Sequence, residues 1–104
     1  PKGGTTMQTM TTTEVQQAIE SGAALKLIDV REVEEVEAGH IPGIINIPLS
    51  VLETRMPELD KSEKYIVVCR SGKRSGMATQ LLENHGFDAT NMVGGMLEWQ
   101  GEGE

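Results

Sequence analysis

The apolar positions of this chain fall into two patterns, runs at helical spacing and short unbroken runs of strand length, and the two alternate along the sequence. Thr11-Thr12-Thr13-Glu14 is a capping box, in which a hydroxyl and a carboxylate each satisfy a backbone N–H at a helix start. Val15, Ala18 and Ile19 then recur at helical spacing, and Gly22 supplies the stop. Leu25 to Val30 reads as a short strand and the acidic stretch Glu32 to Ala38 as a short exposed helix. Gly39-His40-Ile41-Pro42-Gly43 turns the chain into a brief strand, Ile44 to Ile47. A helix from about Ser50 is expected to stop near Met56, because Pro57 cannot continue it.

Tyr65-Ile66-Val67-Val68-Cys69 is apolar at every position, the mark of a central parallel strand covered on both faces. Ser75 is placed to cap the next helix, where Met77, Ala78, Leu81, Leu82 and His85 share a face and Gly86 terminates it. Met92-Val93 is the candidate closing strand, ahead of a short helix from Gly95 to Gln100. The alternation predicts one α/β domain with a mostly parallel sheet flanked by helices on both faces.

Composition narrows the function. A chain of 104 residues is large enough to bury one core without staples. Its first six residues, Pro1 to Thr6, lack an initiator methionine and carry little to bury; they read as a cloning scar or disordered tail, with the domain running over 7–104. The single cysteine excludes an internal disulfide and fits a reducing compartment, the cytoplasm. With only two histidines besides, no structural zinc cluster is available, and no metal or other cofactor is called for. A net charge of -7 argues against nucleic acid or an anionic membrane as the main partner, since both require a broad basic face. No apolar run reaches transmembrane length, and the first thirty residues hold no apolar signal-peptide core.

Against that acidic background, three of the nine basic residues stand in the five positions after the only cysteine, in Cys69-Arg70-Ser71-Gly72-Lys73-Arg74-Ser75. Cys69 is at the carboxyl end of the central strand, where open α/β sheets place ligands, and the following stretch leads into a helix N-terminus. Gly72 and Gly76 permit the curvature by which backbone N–H groups converge into a nest, and the helix dipole adds roughly half a positive charge. An ordinary cysteine thiol, with a pKa of about 8.5, is only a few per cent thiolate at neutral pH, and such surroundings lower it. The loop is suited to a thiolate or to an anionic adduct on its sulfur. A lone cysteine at a strand end is otherwise a small buried apolar residue, but an inert thiol has no use for the adjacent cations and glycines.

Four segments in order carry a resemblance: Leu27 to Glu32, Gly39 to Pro48, Cys69 to Ser75, and Gly94-Gly95-Met96-Leu97-Glu98-Trp99. Together they resemble the single-domain rhodaneses, or rhodanese-like sulfurtransferases, from Met10 to Trp99. Val33, Val36 and Ile44 depart from the commonest family pattern, all at packing positions. The resemblance implies a five-stranded parallel sheet and Cys69 as the residue that carries sulfur. It implies double displacement: Cys69 takes sulfane sulfur from thiosulfate or a similar donor, and a thiol or cyanide removes it from the persulfide.

The remaining residues take their roles from that chemistry. The loop N–H groups from Arg70 through Ser71, Gly72, Lys73 and Arg74 to Ser75 would hold the persulfide anion, and Arg70 and Lys73 would recruit donor anions. Arg74 either braces the loop or contacts substrate. Ser75 reads first as a helix cap. Asp29 and Arg31, at the end of the neighbouring strand, are placed as supports that hold the catalytic loop. His40 is expected to fix backbone in its turn, His85 to complement a helix dipole, Trp99 to clamp the sheet, and Glu32, Glu34, Glu35 and Glu37 to form a solvated face.

Two other functions remain open. A persulfide carrier or binding module serving a protein partner has the same sequence signature. A cysteine phosphatase or arsenate reductase uses a similar cradle but places its arginine six positions after the cysteine, where this chain has Ser75. The expected partners are thus a small anionic sulfur donor and a thiol, cyanide or protein acceptor, with no nucleic acid and no membrane.

Overall fold

The structure, a computed structural model, describes residues 7–104; the expected scar or tail over 1–6 lies outside the described residues. Five strands, β1 (Thr9–Thr11), β2 (Lys26–Asp29), β3 (Ile45–Asn46), β4 (Lys64–Val68) and β5 (Asp88–Val93), form one sheet in the order β1-β5-β4-β2-β3, every pair parallel. Parallel neighbours need crossovers, and the helices supply them: α1 (Thr12–Glu20), α2 (Val33–Ala38), α3 (Leu52–Arg55), α4 (Lys73–Asn84) and, after the last strand, α5 (Gly95–Glu98).

Strand period divides the core in two. In β4 and the residue after it, Tyr65, Val67 and Cys69 point to one face, where they meet Leu52, Ala78 and Leu82 beneath α3 and α4. Ile66 and Val68 point to the other, against Val15 of α1, Ile41 and Met92, with Met96 and Trp99 packed around them. Ile66, Val67, Val68 and Leu82 are fully buried, and each such side chain stabilises the fold by about 1.5–3 kcal/mol. Among the described residues no helix is long and apolar enough to cross a membrane.

The capping box forms as expected: Thr11 Oγ1 accepts from Glu14 N–H at 3.1 Å, and Glu14 Oε1 accepts from Thr11 N–H at 2.8 Å. Other expectations require correction. Met92-Val93 is not the edge of the sheet, because Thr9–Thr11 pairs outside β5; three mostly polar residues carry too little pattern to announce a strand. The α-helix ahead of Pro57 stops at Met56 as expected, with Arg55 its last residue, but the segment as a whole is more broken than one helix. It runs as a 3-10 turn (Leu49–Val51), α3, and a second 3-10 turn (Met56–Glu58) that tolerates the proline in its first turn, where no N–H is needed. On α4 the buried stripe is Ser75, Ala78, Thr79 and Leu82, while Met77 and His85 face outward.

Candidate active site

Cys69 follows the last residue of β4, and its buried side chain continues that strand's alternation toward α4. What turns the chain there is backbone holding backbone. Past β5, Met96 N–H donates to Cys69 O at 2.9 Å and Leu97 N–H to Arg70 O at 3.0 Å. In a trans peptide the carbonyl and the next N–H point opposite ways, so anchoring Arg70 O toward α5 sends Ser71 N–H to the other side, toward the sulfur. Gly95 makes the approach possible. It has φ +60°, and a Cβ there would collide with the Arg70 carbonyl.

Gly72 performs the second turn at φ +102°, as the residue before α4. Its N–H donates to Cys69 Sγ at 3.0 Å, while a Cβ on it would stand 3.2 Å from Gly94 N. Burial pushes the Cys69 thiol up. The Ser75 hydroxyl and the backbone N–H groups of Ser75, Gly72 and Ser71 outweigh it and hold the thiol below its ordinary pKa. The donors around the sulfur thus bias Cys69 toward the anion against the cost of burial.

The expected site residues divide when placed in space. Arg70, Ser71 and Lys73 are exposed on the loop rim. Arg74 turns away from the rim and forks onto Glu35 of α2, with Nη1–Oε1 2.8 Å and Nη2–Oε2 2.9 Å. That geometry favours its bracing role, and it corrects the reading of the acidic run as solvated surface throughout. The Arg74 guanidinium, with the Glu32 backbone second, holds the Glu35 carboxyl down at about 2.

Ser75 is not a helix cap. Helix α4 already starts at Lys73, so Ser75 lies in its first turn, fully buried, 3.2 Å from Cys69 Sγ and 2.5 Å from Asn91 Oδ1. Asp29 and Arg31 also differ from expectation. Their hydrogen bonds go to each other, with Nη2–Oδ2 at 2.8 Å, and from Arg31 to Gly39 O at 2.7 Å, rather than to the Cys69 loop. They support the end of β2 and the turn beyond α2, one layer away from the sulfur. Asn46 completes that support by donating to Asp29 O and Arg31 O.

His40 takes up its backbone role through Nδ1 and Val36 O at 2.8 Å, and His85 sits at the end of α4 with Nδ1 2.9 Å from Leu81 O. Trp99 packs on the sheet face of α1. Among the described residues no group of three or more His, Cys, Asp or Glu side chains converges as a metal site would require.

Asn91 of β5 is the side chain the sequence reading missed. It is buried, accepts from Ser75 and donates from Nδ2 to Gly72 O at 3.1 Å, so it touches both the loop and the helix that carry the cradle. Its only sequence signal is an asparagine inside an otherwise buried strand, where a polar group requires a partner.

The comparisons agree with this geometry. The chain is 41% identical to the "Putative sulfurtransferase YtwF" of Bacillus subtilis (strain 168), covering 89% of this chain and 90% of that protein. It is also 41% identical to the "Putative sulfur carrier protein YrkF" of the same organism over 86% of this chain, but it spans only 49% of that relative's length. Among solved structures, a rhodanese-like domain protein from Staphylococcus aureus superposes with TM-score 0.87 at 34% identity, covering 92% of this chain and 94% of that one. The family model for the rhodanese-like domain matches residues 11–102, and the chain belongs to that family.

Proposed function

We propose that this protein is a sulfurtransferase that moves sulfane sulfur from thiosulfate or a similar anionic donor to a thiol or cyanide through a persulfide on Cys69. The observation that carries the reading is one buried sulfur that accepts the Gly72 N–H at 3.0 Å and lies 3.2 Å from the Ser75 hydroxyl, at the start of a helix. The Cys69 thiolate attacks the outer sulfur of the donor. A Cys69 Sγ–S bond forms, the donor's S–S bond breaks, and its electron pair leaves on sulfite. The negative charge then rests on the outer sulfur, within reach of the same amides, which stabilise it without reorganising. An acceptor thiolate or cyanide attacks that sulfur and returns Cys69 as the thiolate. Arg70 and Lys73, exposed at the rim, attract the anionic donor.

A phosphatase reading is disfavoured by Arg74. The nearest candidate for a phosphate-binding guanidinium is locked on Glu35, and the sixth position after the cysteine holds Ser75 inside the helix. The carrier reading is favoured by the name of one relative, and it differs in outcome rather than in chemistry.

Intact-protein mass after incubation with thiosulfate tests the proposal. One added sulfur atom is expected in the native protein, lost on addition of cyanide or glutathione, and none in Cys69→Ser. Sulfur gained by Cys69→Ser would overturn the covalent route. A persulfide that forms but resists both small acceptors would transfer the assignment to the carrier.

A further inference from the structure

Ser75 has one hydroxyl proton and two neighbours that call for it. On one side Cys69 Sγ lies 3.2 Å away, and on the other Asn91 Oδ1 lies 2.5 Å away. The asparagine amide has only one workable orientation. Its Nδ2 faces the Gly72 carbonyl at 3.1 Å, and the reversed amide would set oxygen against oxygen there. Oδ1 is therefore the atom against Ser75, and two oxygens that close need a proton between them. While Cys69 is a thiol the arrangement is complete: S–H donates to Ser75 Oγ, and Ser75 O–H donates to Asn91. When the thiol loses its proton to a solvent base, the hydroxyl can serve the sulfur only by rotating away from Asn91. Oδ1 and Oγ then face each other without a proton.

We propose that Asn91 is a positioning residue which, through the Ser75 hydroxyl, favours those states in which Cys69 Sγ carries no negative charge. Two states of the cycle fit that description, the resting thiol and, resting on the function proposed above, the persulfide, in which charge has moved to the outer sulfur and Sγ is a neutral bridge. The thiolate between them is the only state in which the hydroxyl must turn. Rotation about Cβ–Oγ is the whole motion, and no bond of Ser75 or Asn91 breaks. Asn91 thus opposes the backbone amides. They favour the anion, and it favours the protonated and the loaded sulfur.

The charged groups around the sulfur are Arg70, Lys73 and Arg74 on the loop and α4, the Asp29–Arg31 pair at the end of β2, Glu32 and Glu35 at α2, and Glu98 of α5, whose carboxylate lies over Gly94. None is altered by substituting Asn91 or Ser75, so their field is common to every variant compared. Nor does removing Asn91 orphan the Gly72 carbonyl, which also accepts from Gly76 N–H at 3.1 Å.

The test is a double-mutant cycle on the sulfur-free protein, with the Cys69 pKa read from thiolate ultraviolet absorbance and from the pH dependence of alkylation. Asn91→Leu, close in shape and unable to accept, should lower the pKa by about half a unit. Below the pKa that gives roughly threefold more thiolate at a given pH. Ser75→Ala should raise it, and in that background Asn91→Leu should have no further effect. Asn91→Ala, which opens space instead of filling it, is read in the same way, so the outcome does not depend on the larger side chain being accommodated. An unchanged or raised pKa in the Asn91 variants overturns the proposal, and so does an equal drop with Ser75 absent. The measurement needs no sulfur donor, so its failure is separate from failure of the transferase reading.

Discussion

Glu35→Gln removes one carboxylate from a bidentate pair that ties α2 to the first turn of α4, and its effect is predictable in both size and pH dependence. The Glu35 carboxyl is held at about 2 in the folded protein against an ordinary 4.5, chiefly by the Arg74 guanidinium. At about 1.4 kcal/mol per pH unit, that depression sets a ceiling of about 3.5 kcal/mol on the stabilisation. Both side chains are about a third exposed, 33% for Arg74 and 32% for Glu35, and water screens such a pair. A realistic contribution is about 1 kcal/mol. Because the folded pKa lies below the unfolded one, the contribution is complete above 4.5 and fades as pH falls toward about 2. Urea unfolding at pH 7 should therefore show Glu35→Gln less stable by about 1 kcal/mol, equivalent to about 4–8 °C in Tm for a domain of this size. The gap should narrow steadily as both proteins are titrated below pH 4.5. A loss of the same size near pH 3 as at pH 7 would show that the ion pair is not its source, and no loss at pH 7 would show that the pair is as weak as any surface bridge.

Three further outcomes follow from the site. Cys69→Ser should fold and acquire no sulfur from thiosulfate by intact mass, since the chain has a single cysteine. Neutralising Arg70 and Lys73 together should raise the thiosulfate KM severalfold while moving the Cys69 pKa little, and added salt should mimic it in the native protein because exposed charges are screened beyond about 10 Å at 0.1 M; an unchanged KM would make both side chains solvated surface only. Gly95→Ala should cost at least about 2 kcal/mol in denaturant unfolding and abolish sulfur uptake, because the new methyl meets the Arg70 carbonyl at a backbone φ of +60°; near-normal stability would mean that the α5 turn does not hold the loop.

What could be read from the sequence is what local chemistry dictates. The capping box of α1, the apolar run of β4 and the Cys69 loop are contiguous, and each carries its own pattern. Two of the missed contacts are long-range. Glu35 meets Arg74 across 39 positions and Asn91 meets Ser75 across 16, and no periodicity encodes either meeting. Asp29 and Arg31 were placed at the correct strand end, but their geometry selects each other, two residues apart, over the loop. Ser75 was misread for a local reason. A serine ahead of a helical run looks like a cap, yet Gly72 in the left-handed region lets the helix begin three residues earlier.

The three cations near the cysteine suggest one shared purpose, and the structure divides them. Arg74 is neutralised by Glu35, so what it presents to the sulfur is closer to a dipole than to a charge. Arg70 and Lys73 are exposed, in water and salt, where on the proposed function their attraction would draw an anion in but is too diffuse to set an ionisation. The groups that can set it are the Ser75 hydroxyl and the N–H bonds of Ser75, Gly72 and Ser71, close to the sulfur and aimed by the turn at Gly72, by the start of α4 and by Leu97 holding the Arg70 carbonyl. A donor fixed by peptide geometry loses little on forming its bond, whereas a guanidinium must first be immobilised. On the proposed function, capture of the donor and activation of the sulfur therefore rest on different atoms of one six-residue stretch, and salt should separate them, weakening the first and leaving the second in place.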